Sequence, residues 1–300
     1  MTPRDIAVFL ALASALCVAV GDVLQQRAAH CAEHRSLGHV GLLGVLVRNP
    51  RWWCGAALLV ASIALQAAAL SRGSVLLVQA LLMLSLLFAL PVNAWVSHRV
   101  THRGEWIWGG LLTAAVSVVV TVGHPAAGHC GAPLRSWIAV TVVLGSLLTA
   151  CAVAGRRLGG AAAAALFAFV AGSLWGVFAV LTKEVVARLG DGDAAVVRTP
   201  ELYAAALVVA GGFVWGQAAF RAGPLTASMP TLQMAQPVVG ALLGVVVLDE
   251  TLTTGRAGAA ALAVAALVMA AAIVKLARVE AVATHAEVEK RLDDEVGQPA

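Results

Sequence analysis

The sequence predicts an all-α, polytopic membrane protein of about nine transmembrane helices, built as an inverted repeat of spans 1–4 and 6–9 around an unpaired span 5. Three observations carry this expectation. Sixty per cent of the 300 residues are hydrophobic, only 12% are charged, and the mean hydropathy is +0.88. A soluble domain carries about 25% charged residues, so most of this chain faces lipid rather than a water-bounded core. Apolar runs long enough to cross a bilayer recur along the whole chain, and a run of about 18 residues or more is the mark of a transmembrane helix. The third observation is internal repetition. Residues 72–105, RGSVLLVQALLMLSLLFALPVNAWVSHRVTHRGE, are echoed by 221–256, RAGPLTASMPTLQMAQPVVGALLGVVVLDETLTTGR. A shift of about 150 residues sets Gly73 on Gly223, Leu82 on Leu232, Val96 on Val246 and Thr101 on Thr251.

Taken in order, span 1 covers about 6–26. It is too long for a signal peptide, has no small-x-small cleavage site, and is read as a retained helix. A polar connection, 27–51, holds Arg27, Arg35, Arg48 and Arg51, and its apolar part, 37–47, is too short to cross. That part is expected to be interfacial or re-entrant, with a tilted tenth span as the alternative. Spans 2, 3 and 4 follow at 52–70, 75–96 and 106–122. Trp52, Trp53, Trp95, Trp106 and Trp108 stand at their ends, where amphipathic rings prefer the headgroup layer. The loop 123–135 is the clearest linker. Span 5 is 137–153, and spans 6 to 9 are 161–181, 202–220, 225–248 and 258–274. The domain division is a first transmembrane repeat at 1–122, an outer linker with span 5 at 123–160, a second repeat at 161–276 and a polar cytoplasmic tail at 277–300.

Lys and Arg orient the bundle. With nine spans one face receives Arg4, Arg72, Arg135, Lys183, Arg188, Arg198 and Arg256, which is seven; the other receives the remaining thirteen of the 20. Positive charge accumulates on the cytoplasmic side, so the C-terminus is expected inside and Met1 outside. A single unpaired span between two four-span units makes the second unit enter from the opposite face, the inverted topology of many secondary transporters.

Chemistry at membrane depth rests on few residues. Asp22 is the one carboxylate clearly inside a span. It is read either as a helix-end group near Arg27 or as a coupling-ion candidate. Gln66, Gln79, Asn93, Gln217, Gln233 and Gln236 lie within spans 2, 3, 7 and 8. An amide facing lipid leaves its hydrogen bonds unmade, so these are expected to face other helices or a solute pathway. Gln233 and Gln236 share a helix face, and Pro237 frees the carbonyl of Gln233 beside them. Pairs at GxxxG spacing, Gly172/Gly176, Gly212/Gly216 and Gly240/Gly244, predict close helix packing in the second half.

Several classes are set aside. His30/His34 beside Cys31 and His98/His102 lack a completing set of ligands, so no metal site is expected. Cys17, Cys54 and Cys151 fall inside apolar spans, while Cys31 and Cys130 fall on opposite faces, so no disulfide framework is expected. A net charge of +4 without a basic stripe leaves no footprint for nucleic acid. No hydrolase motif, P-loop or dinucleotide fingerprint stands in the right setting, so neither an enzyme nor a cofactor is expected.

Spans 6–9 resemble the EamA-type repeat of the drug/metabolite transporter superfamily. AAFRAGPLTASMPTLQMAQPVV is similar to its junction between two long helices, and LDETLTTGRAG, with Glu250 and Gly258, to its acidic turn and the glycine opening the last helix. NPRWWCGAALLVASIALQAAALSRGSVLLVQAL resembles the NIPA-type magnesium-transporter branch, and the similarity covers roughly residues 5–275. The first half departs from the pattern, with Val100 matching Glu250 and Ala80 matching Pro230. The resemblance implies a carrier moving a small solute across the cell membrane by alternating access. A divalent-cation (Mg) transporter is the alternative within transport, and a non-transporting scaffold or regulatory subunit is the alternative of another class. The implied partners are a small molecule or ion, membrane lipid, and, in some arrangements, a second copy as a homodimer.

Overall fold

Long apolar runs with few charges can satisfy their backbone in lipid only as helices, and the computed structural model of the chain bears this out. It describes residues 2–33, 50–97, 103–123, 125–126, 133–190, 199–223, 225–252 and 254–296. In chain order the helices are α1 (Pro3–Glu33), α2 (Pro50–Leu70), α3 (Val75–Leu82), α4 (Ser85–Ser97), α5 (Arg103–Val122), α6 (Leu134–Leu158), α7 (Gly160–Gly190), α8 (Pro200–Ala222), α9 (Leu225–Leu248) and α10 (Arg256–Val296). Among the described residues, nine segments are long and apolar enough to span a membrane, with α3 and α4 together forming the third. Two short strands, β1 (Pro125–Ala126) and β2 (Thr251–Leu252), pair antiparallel, with Pro125 opposite Leu252.

The distribution of apolar side chains is that of a bilayer protein. Val60, Val143, Leu207, Val214 and Leu267 are all more than 60% exposed, as expected of helix faces that meet lipid. The centre is α3 with the start of α4. Every residue from Leu77 to Leu86 is buried. Helix α1 presents a stripe of Ala7, Ala11, Ala15 and Ala19 at four-residue spacing, all nearly inaccessible. It lies along α2 and touches α3 and α4. Ser14 Oγ donates to the Ser62 carbonyl at 2.8 Å, joining α1 to α2.

In the second half α7 runs along both α8 and α9, and α10 packs on α5 and α9. The glycine pairs explain how close α7 and α9 come. A Cβ placed on Gly172 would stand 2.6 Å from the Leu232 carbonyl oxygen, and one on Gly176 would stand 2.7 Å from that of Gln236. Only glycine permits backbone to approach backbone in this way. The turn from α6 to α7 uses Gly159 and Gly160 at φ 69° and 56°, the left-handed region that glycine enters without penalty.

One expectation is corrected. Span 6 does not stop at 181: α7 continues to Gly190 and carries Lys183 and Glu184 buried within it. The hydropathy signal ends at the first charge, but TKEVVARL consists largely of residues that a helix accepts, and the helix goes on. The polar tail is helical over most of its length, since α10 is a single helix of 41 residues reaching Val296. Helix α9 runs unbroken through Pro230 and Pro237, and an interruption lies in the third span at Met83–Leu84. There the backbone tightens to three-residue bonds, Leu84 N to the Leu81 carbonyl at 3.0 Å and Leu86 N to the Met83 carbonyl at 3.3 Å. The segment 37–47 lies outside the described residues.

Candidate functional site: a buried polar junction of α3, α7 and α9

Ser74 starts α3: its backbone is extended and its Oγ accepts from Leu77 N at 3.1 Å, satisfying one of the orphan amides of a helix start. Two more are taken by a residue from the far end of the chain. Helix α9 ends at Leu248, and Asp249 turns the backbone with φ 52°, a left-handed conformation that Asp tolerates better than most residues. Glu250 N then donates back to the Gly244 carbonyl at 3.0 Å. This turn aims the Glu250 carboxylate at α3. Oε1 accepts from Val75 N at 2.7 Å, and Oε2 from Leu76 N at 3.0 Å. Lys183 Nζ of α7 also donates to Oε1, at 2.5 Å. Both charged residues are almost wholly inaccessible, at 1% and 3%.

A buried carboxylate is tolerable only when paired and hydrogen-bonded, and here an ammonium and two backbone amides do both. Glycine makes the approach possible. A Cβ on Gly244 would stand 3.0 Å from Glu250 Oε2 and 3.5 Å from Val75 Cβ. One turn along, a Cβ on Gly240 would stand 3.0 Å from Gln79 Nε2. The GxxxG of α9 therefore faces Glu250 and Gln79, while that of α7 faces the α9 backbone.

Gln79 is 1% exposed, and neither its Nε2 nor its Oε1 has a hydrogen-bond partner among the described residues. Ser173 and Thr182 on α7 and Ser228 on α9 also bury a hydroxyl without a partner among the described residues. A buried polar group left without a partner costs about 1–3 kcal/mol.

The sequence-predicted residues scatter around this junction. Gln79 sits in it. Gln233 and Gln236 are half-buried on α9, and the Gln236 backbone lies against Gly172 and Gly176. Gln66 is buried on α2. Gln217, in contrast, is exposed on α8 in a shallow groove with Phe213, Val214 and Arg221, away from the centre. The rule that an amide must face inward fails there because Gln217 is one turn from Arg221, close enough to the helix end for polar atoms to reach the interface. Asp22 and Asn93 lie within α1 and α4, and their side chains fall outside the described residues. Asp22 is in any case not the sole charged candidate, since Lys183, Glu184, Glu250 and Glu105 are buried. Lys183 was visible in the sequence only as a charge directly following an apolar run, whereas Glu250 stood out as the acidic turn of the resembled repeat but without a partner.

The fold and this junction define a multi-pass α-helical membrane protein. The chain is 33% identical over 280 residues to an uncharacterized protein of Corynebacterium glutamicum, across 93% of this chain and 96% of that protein, and it belongs to the same family. No family model matches the chain, and no solved structure does.

Proposed function

We propose that the protein is a secondary transporter of the drug/metabolite type that moves a small solute across the cell membrane by alternating access. The observation that carries this reading is Gln79: an amide sealed between helices at the centre of a 60% hydrophobic chain, with both polar ends unpartnered among the described residues. A scaffold has no use for such a residue, whereas a carrier exposes it to solute when its halves part.

The packing supports an inverted repeat. Helix α1 lies along α2 as α7 lies along α8, and α1 touches α3 and α4 as α7 touches α9. Between the halves, α3 meets α9 and α5 meets α10, the pairs that a two-fold axis in the membrane plane would bring together. Each half also sets a stripe of small residues at its centre, Ala7, Ala11 and Ala15 in α1 and Ala164, Ala168 and Gly172 in α7. By the thirteen-to-seven distribution of Lys and Arg, the end bearing Glu250 faces outward and the C-terminus lies in the cytoplasm.

The test is a solute-uptake and efflux screen on purified protein in liposomes, with and without Mg²⁺ and a pH gradient. Wild type should move at least one solute class, and Gln79→Leu should abolish that movement while folding and inserting normally. Transport by Gln79→Leu at the wild-type rate would sink the assignment of the site. A response to Mg²⁺ alone would favour the divalent-cation alternative, and no flux under any condition would favour the scaffold.

A further inference from the structure

The ion pair at the end of α9 ties the two repeats together. Val75 and Leu76 belong to the first repeat, Lys183 and Glu250 to the second. One carboxylate holds all three: Lys183 Nζ and Val75 N on Oε1, Leu76 N on Oε2. We propose that Glu250 is a latch, closing the outer end of the bundle by capping α3 while held in place by Lys183. The proposal rests on the transport reading above and names the contact that must break for solute to pass outward.

Charge suits this task better than an apolar contact would. A buried ion pair is a poor way to gain stability compared with well-packed hydrophobic residues. Its attraction, however, depends on whether water is present: it falls about fourfold between a protein-like dielectric and bulk water. A closed, dry latch is therefore firm, and an opened, wetted one offers little resistance. An apolar seal would do the reverse. The cap adds direction, because among the described residues the Val75 and Leu76 amides of α3 find their side-chain acceptor in Glu250. Gly244 leaves room for the carboxylate, and Val75 seats against the same glycine.

The latch is tested in a background with all five cysteines replaced, using Val75→Cys as the reporter. Intact cells are treated with a membrane-impermeant maleimide, and each variant is checked for folding by thermal melting of the purified protein. Glu250→Gln and Lys183→Met should each label about tenfold faster than the reporter alone, the change that 1.4 kcal/mol in the closing equilibrium produces. Exchanging the two charges, Lys183→Glu with Glu250→Lys, should not restore slow labelling, because a lysine at 250 offers α3 no acceptor. Folded latch variants that label at the reporter's own rate would overturn the proposal.

If a latch variant fails to fold, a cross-link decides. The Val75 Cβ and a Cβ built at 244 are 3.5 Å apart, within disulfide reach. Because a Cβ at 244 also crowds Glu250 Oε2, Val75→Cys with Gly244→Cys is compared with Gly244→Cys alone. The double variant should lose the flux of its reduced form when oxidised and regain it on reduction, and the single variant should not respond. A double variant unchanged by oxidation would overturn the latch. A wild type that moves no solute removes the transport reading and leaves the labelling ratio to judge the latch alone.

Discussion

Gly176→Ala isolates the crossing of α7 and α9. The added Cβ would meet the Gln236 carbonyl oxygen at 2.7 Å, Gly240 N at 2.8 Å and Val239 Cβ at 3.0 Å. Carbon atoms pack best at about 3.5–4.0 Å, so α9 must retreat by roughly 0.7 Å. Two of the three obstructing atoms are backbone, so no side-chain rotation relieves them. Overpacking of this kind costs about 1–3 kcal/mol. Alanine's better helix propensity offsets up to about 1 kcal/mol of that, and Gly145→Ala supplies the control. Gly145 sits inside α6 with no atom within 4 Å of an added Cβ, so only the propensity gain applies there. The difference between the two variants is then the packing cost itself, about 1–3 kcal/mol. It is read from reversible unfolding in mixed micelles as the denaturing detergent is titrated. If the two variants unfold within about 0.5 kcal/mol of each other, the ordinary scatter of surface substitutions, the close crossing is refuted.

In intact cells a membrane-impermeant thiol reagent should label Cys130 and spare Cys31, and the opposite pattern would reverse the expected orientation. Ser14→Ala, which removes the bond to the Ser62 carbonyl, should cost about 0.6 kcal/mol in the same unfolding assay, the average for such contacts in membranes; a cost above about 2 kcal/mol would mean that the α1–α2 interface depends on it. Lys183→Met should cost about 3–5 kcal/mol by leaving a buried carboxylate unpaired. Glu250→Leu orphans the Val75 and Leu76 amides as well as the ammonium, so it should be the worse of the two by about 1–3 kcal/mol. Equal losses would show that the cap on α3 carries no weight.

The spans were legible because membrane crossing demands length and apolarity, both of which are local. Helix α9 was placed at 225–248 from its run alone and is observed at Leu225–Leu248. Gln79 was legible by a similar logic, since an amide deep in an apolar run needs an inward place. What escaped was whatever depends on distant partners. Lys183 was read as a loop residue because the apolar run of span 6 ends just before it; the partner that lets it stay buried is 67 residues away. The pairing of Pro125–Ala126 with Thr251–Leu252 has no signature in two residues per strand. The interruption at Met83–Leu84 carries neither proline nor glycine, the residues by which a break is ordinarily recognised.

The length of α10 has a mechanical consequence. At 1.5 Å per residue its 41 residues extend about 60 Å, roughly twice the hydrocarbon thickness of a bilayer. Its apolar window ends at Arg278, leaving residues 279–296 as a rod of about 27 Å beyond it. A rod rigidly continuous with a membrane span behaves as a lever. A tilt of about 10° within the membrane, well inside the range such helices adopt, displaces its far end by about 5 Å. Motions too small to register inside the bundle are thereby enlarged at Val296, where a spin label or fluorophore could follow them without touching the membrane-embedded machinery.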